Sequence, residues 1–266
     1  MSWTEFVTPE VKLAESESES KTFGFPVARL SIGAGASLDA ASLKKTLADA
    51  LANYKLIIAR WESTNQTVPG TLGQAAKTAN CELIPCPTLI YWGIDLDSQA
   101  NQQPSVSPAD EPKVKVTTDI TTLDSLIAET FHDYPSHYAF NPYLPKNTTE
   151  LAYRGWVKVL SLDPAAQCQV IYSANDAPAG IGISKQLPSE VVEVLIAGIA
   201  EAHQNQGLYP ILLTELIRSA SNNKGQRLVI STQASNVAVQ RVWARVGLRP
   251  ILSVENCHLT SGTITS

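Results

Sequence analysis

The residues with the means to do chemistry gather between Glu193 and Trp243. Glu193 stands inside Val191–Ile199, a run that is otherwise apolar and rich in β-branched residues. Burying a carboxylate there without a partner is costly, and burial raises its pKa towards neutrality, which suits a general base. The plainer alternative is a strand residue that faces solvent or pairs with a lysine. A polar loop follows, Gln204-Asn205-Gln206-Gly207-Leu208-Tyr209. Gly207 permits a tight turn or close approach to a ligand, and Pro210 suits the first turn of a helix. A polar loop feeding a helix N-terminus offers free N–H groups and the positive end of a dipole, a site for phosphate oxygens. It is equally the form of an ordinary strand-to-helix turn, and it holds no lysine or arginine. His203 and Glu201 either titrate beside a reacting group or form the solvated shoulder of that turn.

Asn236 is placed to cap a helix. Between Phe131 and Pro145 lies an aromatic loop with His132, His137, Tyr134, Tyr138 and Tyr143. Its aromatic faces and polar tips suit an acceptor pocket for sugars or nucleobases, with His137 and Tyr138 as the substrate contacts. A small core packing a long loop would read the same way.

The loop 204–209 resembles the Q/R-x-x-G-x-G/A loop of the GNAT superfamily, the acyl-CoA-dependent N-acyltransferases. Asn236-Val237-Ala238-Val239-Gln240-Arg241-Val242-Trp243-Ala244-Arg245-Val246-Gly247-Leu248 resembles that family's N-x-x-A-x-x-x-Y-x-x-x-G-F helix and turn. The two stand in order, with a helix and a strand between them. The resemblance implies transfer of an acetyl group from acetyl-CoA to a primary amine. It implies contacts to coenzyme A from Ile199, Ala200, Gln204, Asn205, Gln206, Gly207, Leu208, Tyr209, Asn236 and Trp243, with Glu193 as the catalytic base. Two residues depart from the pattern. Tyr209 replaces a second small residue, and Trp243 replaces the tyrosine that would protonate the leaving thiolate, leaving that role to Tyr209 or a water. A narrower likeness runs through Phe23-Gly24-Phe25-Pro26-Val27-Ala28-Arg29-Leu30 and Ser136-His137-Tyr138 with Asn141-Pro142. It is similar to the TDP-fucosamine acetyltransferase group, and implies an amino sugar carried on a nucleotide as acceptor.

The elements that must position these groups follow from periodicity. Residues 23–32, 55–61 and 81–94 read as strands, and Asp39–Asn53 carries Leu43, Leu47, Ala50 and Leu51 at helical spacing. With a short helix near Leu72–Thr78, they predict a small α/β unit over 23–96, which can also be read as a degenerate copy of the unit that follows. Residues 1–22 read as a mobile acidic tail, and the Pro/Ser/Gln-rich stretch 97–112 as a linker. Residues 113–260 then read as the GNAT domain: a short strand, helices near Thr121–Thr130 and Thr148–Leu160, a hairpin turning at Asn175-Asp176-Ala177-Pro178, the strand with Glu193, and strand 248–259 after the second motif. The expected fold class is α/β, with a mixed central sheet of the GNAT type behind a smaller α/β domain.

Composition bounds the rest. The chain has 266 residues, 44% hydrophobic and 17% charged, which provides for a sizeable core. A net charge of −5 gives no support for nucleic-acid binding. No apolar run is long enough for a membrane helix, and residues 1–21 lack the apolar stretch of a signal peptide. Cys81, Cys86, Cys168 and Cys257 show no metal-ligand spacing and read as reduced thiols of a cytoplasmic protein. A homodimer is compatible with this reading. Two other classes stay open: a GNAT-fold protein that binds acyl-CoA as sensor or scaffold, and a phosphate-binding module unrelated to coenzyme A.

Overall fold

The computed structural model describes residues 2–36, 39–96 and 113–261. Its frame is one sheet of ten strands: β1 (Val11–Glu15), β2 (Val27–Ile32), β3 (Leu56–Glu62), β4 (Glu82–Asp95), β5 (Val114–Val116), β6 (Ala166–Tyr172), β7 (Pro178–Gln186), β8 (Val191–Ile199), β9 (Arg227–Gln233) and β10 (Arg249–Thr260). Their order across the sheet is β1-β2-β3-β10-β4-β9-β8-β7-β6-β5. The sheet is mixed: β2 with β3 and β8 with β9 are parallel, and the other neighbours are antiparallel. The front unit is therefore joined to the rest through its sheet, because β10 lies between β3 and β4, and β4 pairs with β9. The expected linker, 97–112, lies outside the described residues.

Strand alternation sends side chains to opposite faces. On β3, Ile57, Ala59 and Trp61 pack with Leu43, Leu47 and Leu72 of α3 (Ala40–Asn53) and α4 (Val68–Thr78). Leu56 and Ile58 pack instead with Phe25, Val27 and Tyr138 on the opposite face. In the later half, α5 (Ile120–Phe131) and α6 (Thr148–Leu160) share a core with Val170, Ile181, Ile183 and Ile196. On the other face α7 (Leu208–Asn222) and α8 (Val237–Arg245) enclose Val192, Val194, Leu228 and Ile230. Asp119 starts α5 by accepting from Thr121 N, and β6 and β7 turn at Asp176, which has a φ of 56°.

Residues 2–22 differ from the expected mobile tail of 1–22. They form α1 (Thr4–Val7), β1 and most of α2 (Glu17–Phe23). Phe6 is fully buried beside Tyr91, and Glu19, from the supposed solvated charge run, is buried and ion-paired with Arg29 at 2.6 Å. Local composition carries no sign of this, because the partners come from β2 and β4. Among the described residues no helix is long and apolar enough to cross a membrane, and no cluster of His, Cys, Asp and Glu could hold a metal ion.

Candidate active site

The site grows from one irregularity of the sheet. The parallel pair β8–β9 is bonded in register only from Val191↔Arg227 to Val194↔Ile230. Beyond Val194, β8 runs on to Ile199 along β7 alone, with a shift in register between Ile183 and Ser184 of that strand, while β9 continues beside β4. The two strands splay, and the gap between them separates two cavities.

The first cavity is a groove of about 490 Å³ at the start of α7. Ala197, Gly198 and Ile199 of β8 form one wall, Thr130 and Phe131 of α5 a second, and Asn236, Ala238, Val239 and Val242 of α8 a third. Gly198 is required by close approach: a Cβ there would stand 2.4 Å from Thr130 Cγ2. At the groove's head, Gly207 caps α7 in the left-handed region with a φ of 75°, preceded by Asn205 at 60°. Gly207 faces open space, with nothing within 4 Å of the position a Cβ would take. Among the described residues, the amides of Asn205, Gln206 and Gly207 have no hydrogen-bond partner. With the first turn of α7 they form a cradle of free N–H groups suited to a pyrophosphate. Thr130 Oγ1, buried on the groove wall, is likewise unpartnered. Gln204 Nε2 donates to Ile199 O at 3.2 Å, tying the loop back to the end of β8. Asn236 caps α8 by accepting from Val239 N at 3.4 Å, and its Nδ2 donates to Thr232 Oγ1 at 3.1 Å.

The structure thus brings Ile199, Gln204, Asn205, Gly207, Leu208, Tyr209 and Asn236 to one groove. Ala200, Gln206 and Trp243 do not line it. Ala200 is fully buried. Trp243, 1% exposed, lies behind the wall, edge-on to Trp92. Its Nε1 donates to Tyr209 Oη at 2.9 Å. That leaves the Tyr209 proton free to be donated elsewhere. The helix begins at Leu208, two residues before Pro210.

The second cavity is a chamber of about 170 Å³ on the other side of the splay. Glu193 lines it, 3% exposed. Burial raises its pKa, while Ser2 Oγ donating at 2.6 Å and Trp3 N donating at 3.0 Å partly offset that rise. His137 and Tyr138 also line the chamber. Tyr138 donates to Glu19, so its hydroxyl is engaged by protein. His137 ends a relay. Asn141 Oδ1 accepts from Tyr143 N, so its Nδ2 donates to His258 Nδ1 at 3.1 Å. His258 therefore carries its proton on Nε2 and donates it to His137 Nδ1 at 2.8 Å, leaving His137 protonated on its own Nε2. Burial, aided by the Arg60 charge, holds His258 down to about 3 and His137 well below its usual value, so both rings are neutral donors. Burial would raise Glu19, but the Arg29 guanidinium and hydrogen bonds from Arg29, Ser16 and Tyr138 hold it down to about 2. His203 lines the groove rather than the chamber.

Tyr134 joins the two cavities, lining both. Burial raises its pKa, and hydrogen bonds with Thr232 and Asn236 pull it back. Sequence reading placed Tyr134 in the aromatic loop without assigning it a site. It missed Arg29 and Arg60 altogether, although each is a charge inside an apolar strand, the same signal that exposed Glu193.

A splayed parallel pair, a cradle of amides at the following helix and a buried carboxylate beside the gap define an acyl-CoA-dependent acyltransferase fold. The comparisons agree. Residues 125–248, just under half of the chain, match the model of the Acetyltransferase (GNAT) family. Among solved structures it is similar to a GCN5-related N-acetyltransferase from Kribbella flavida, at 15% identity and a TM-score of 0.57, covering 88% of this chain and 80% of that one. A GCN5-related N-acetyltransferase from Sphaerobacter thermophilus has 12% identity and a TM-score of 0.59, with 93% and 76% covered. A tandem GNAT protein from the clavulanic acid biosynthesis pathway has 16% identity and a TM-score of 0.57, with 90% and 76% covered. At these identities the likeness is one of fold. No curated protein matches the chain by sequence. None of the three descriptions names a TDP-fucosamine acetyltransferase.

Proposed function

We propose that the protein moves the acetyl group of acetyl-CoA to the primary amine of a small molecule. The observation that carries this is the meeting of the groove and the chamber at Tyr134, across the gap between β8 and β9. In this reading the cradle at 205–208 holds the pyrophosphate of coenzyme A, with Asn236 beside it, and the amine enters from the chamber. The amine nitrogen attacks the thioester carbonyl carbon. The N–C bond forms, the C–S bond breaks, and coenzyme A leaves as the thiolate. Glu193, raised by burial, takes the amine proton directly or through water. The backbone of β8 past Val194, free of a strand partner on the β9 side, is where a carbonyl oxygen would find N–H donors. Tyr209 or Tyr134 donates to the departing sulfur.

The chamber's size favours a small acceptor. A nucleotide-linked amino sugar, which the narrower sequence likeness suggests, would have to leave its nucleotide outside. The test is thiol release from acetyl-CoA in the presence of a panel of small amines, with mass spectrometry of the products. Acetylated small amines support the reading. Acetylation of peptides alone would overturn the choice of acceptor. Binding of acetyl-CoA without thiol release for any amine would leave an acyl-CoA-binding protein.

A further inference from the structure

The charges facing the chamber are not all paired with one another. Its ionisable carboxylates and guanidiniums are Glu19, Arg29, Arg60 and Glu193. Glu19 is committed to Arg29 and Tyr138, and Glu193 to Ser2 and Trp3. The side chain of Arg60, on β3, has no ion pair and no hydrogen bond among the described residues, and its Nε is buried. The residue opposite it across the β3–β10 ladder is Asn256, whose side chain therefore stands on the same face. Asn256 is 3% exposed, and neither its Nδ2 nor its Oδ1 has a partner. Three buried polar atoms on two adjacent side chains thus lack a mate, where native interiors satisfy nearly all such atoms. A guanidinium whose Nε is buried and which has no anion beside it is the least comfortable of these groups, and its planar fork matches a carboxylate. Tyr91 lines the chamber together with Arg60 and Glu193. His137, a neutral N–H donor, lines the same wall.

Resting on the acetyl-transfer reading above, we propose that Arg60, supported by Asn256, is an anion seat, and that the acceptor is a compact amino acid. Its carboxylate sits on Arg60 while its amine reaches towards Glu193. The volume of about 170 Å³ agrees: an engineered cavity of roughly 150 Å³ takes one benzene molecule.

The experiment compares amino acids with their matching amino amides, which keep the amine and lose the charge. Thiol release from acetyl-CoA gives KM and kcat for each pair. Calorimetric titration of the N-acetyl amino acids and their amides gives binding that needs no turnover. The wild type is expected to favour the acid of the best pair by tenfold or more in both assays. Arg60→Met is expected to abolish that preference through KM, with acetyl-CoA affinity unchanged, and Arg60→Lys to restore part of it. A circular-dichroism melt checks that each variant folds. Turnover of amines with no preference for the acid, or a preference that survives in Arg60→Met, overturns the anion seat and leaves acetyl transfer standing. Binding of the acids through Arg60 with no thiol release for any amine supports the seat and overturns the transfer reading. If neither acids nor amides bind in the wild type, the seat is overturned.

Discussion

Replacing Tyr209 by Phe isolates a single hydroxyl with two jobs. In the structure that hydroxyl accepts from Trp243 Nε1 at 2.9 Å and lines the groove. Burial pushes its pKa up, so it keeps its proton in the ground state, and that O–H is the group that would donate to a forming thiolate. A hydrogen bond to a charged partner contributes about 1.5–3 kcal/mol. At 1.36 kcal/mol per decade, its loss from the transition state lowers kcat about 10- to 150-fold. The same change leaves the Trp243 N–H, on a residue 1% exposed, without a partner. That costs about 1–3 kcal/mol of stability, or roughly 2–12 °C of melting temperature for a chain of this size. Steady-state kinetics with a saturating amine and a thermal melt on the same variant measure both. Acetyl-CoA affinity should be unchanged, because the phenyl ring keeps the groove wall. Loss of stability with kcat unaltered would refute Tyr209 as donor to the sulfur and assign that role to Tyr134 or water. Loss of neither would refute the importance of the Trp243 bond as well.

Gly207→Val should weaken acetyl-CoA binding at least tenfold, about 1.4 kcal/mol, in calorimetry. No protein atom obstructs a Cβ there, so the loss comes from forcing a β-branched residue to a φ of 75° and from crowding the ligand. Glu193→Gln should lower kcat/KM by about 10²–10⁴ and flatten its acid limb. In the wild type that limb lies above the usual 4.5, because the buried base must lose its proton and does so at a raised pKa. Since the folded state holds that proton more tightly, this carboxyl makes the wild type lose stability as pH rises through the same window, and the Gln variant should not. Glu19→Gln should cost about 3 kcal/mol at pH 7 in urea melts, from a pKa depressed from 4.5 to about 2. A depressed carboxylate stabilises above its unfolded pKa, so the difference from wild type should fade as pH drops from 4.5 to about 2, and a gap constant with pH would refute the ion pair as its source.

What the sequence discloses is what local pattern encodes. The polar loop 204–209 and the helix after it are legible because glycine and free helix amides are local facts. Glu193 is legible because a carboxylate in an apolar strand stands out. The hairpin at Asp176 follows from its turn residues. The rest depends on partners far along the chain. The buried Glu19 looks like part of a solvated run until Arg29 of β2 and Tyr138 of the aromatic loop are placed around it. The family pattern puts Trp243 in the site, yet its ring packs edge-on to Trp92 of β4 and its N–H is bonded to Tyr209. Arg60 carried the same signal as Glu193, and its meaning required knowing that β10 sets Asn256 opposite it.

The position of β10 has a consequence for how the protein is made. Residues 249–260 are the central splice of a sheet whose flanking strands, β3 and β4, were synthesised some 150 residues or more earlier. Until that splice arrives, β3 and β4 each hold a row of unpaired backbone groups beside apolar side chains, the form of edge most open to pairing with another chain. Closure therefore comes late and over long sequence separations, which slows folding. A chain interrupted before Arg249 would be a sticky intermediate rather than a smaller working enzyme. The chamber shares that fate, since His258, which bonds to His137 on its wall, and Asn256, opposite Arg60, come only with the splice.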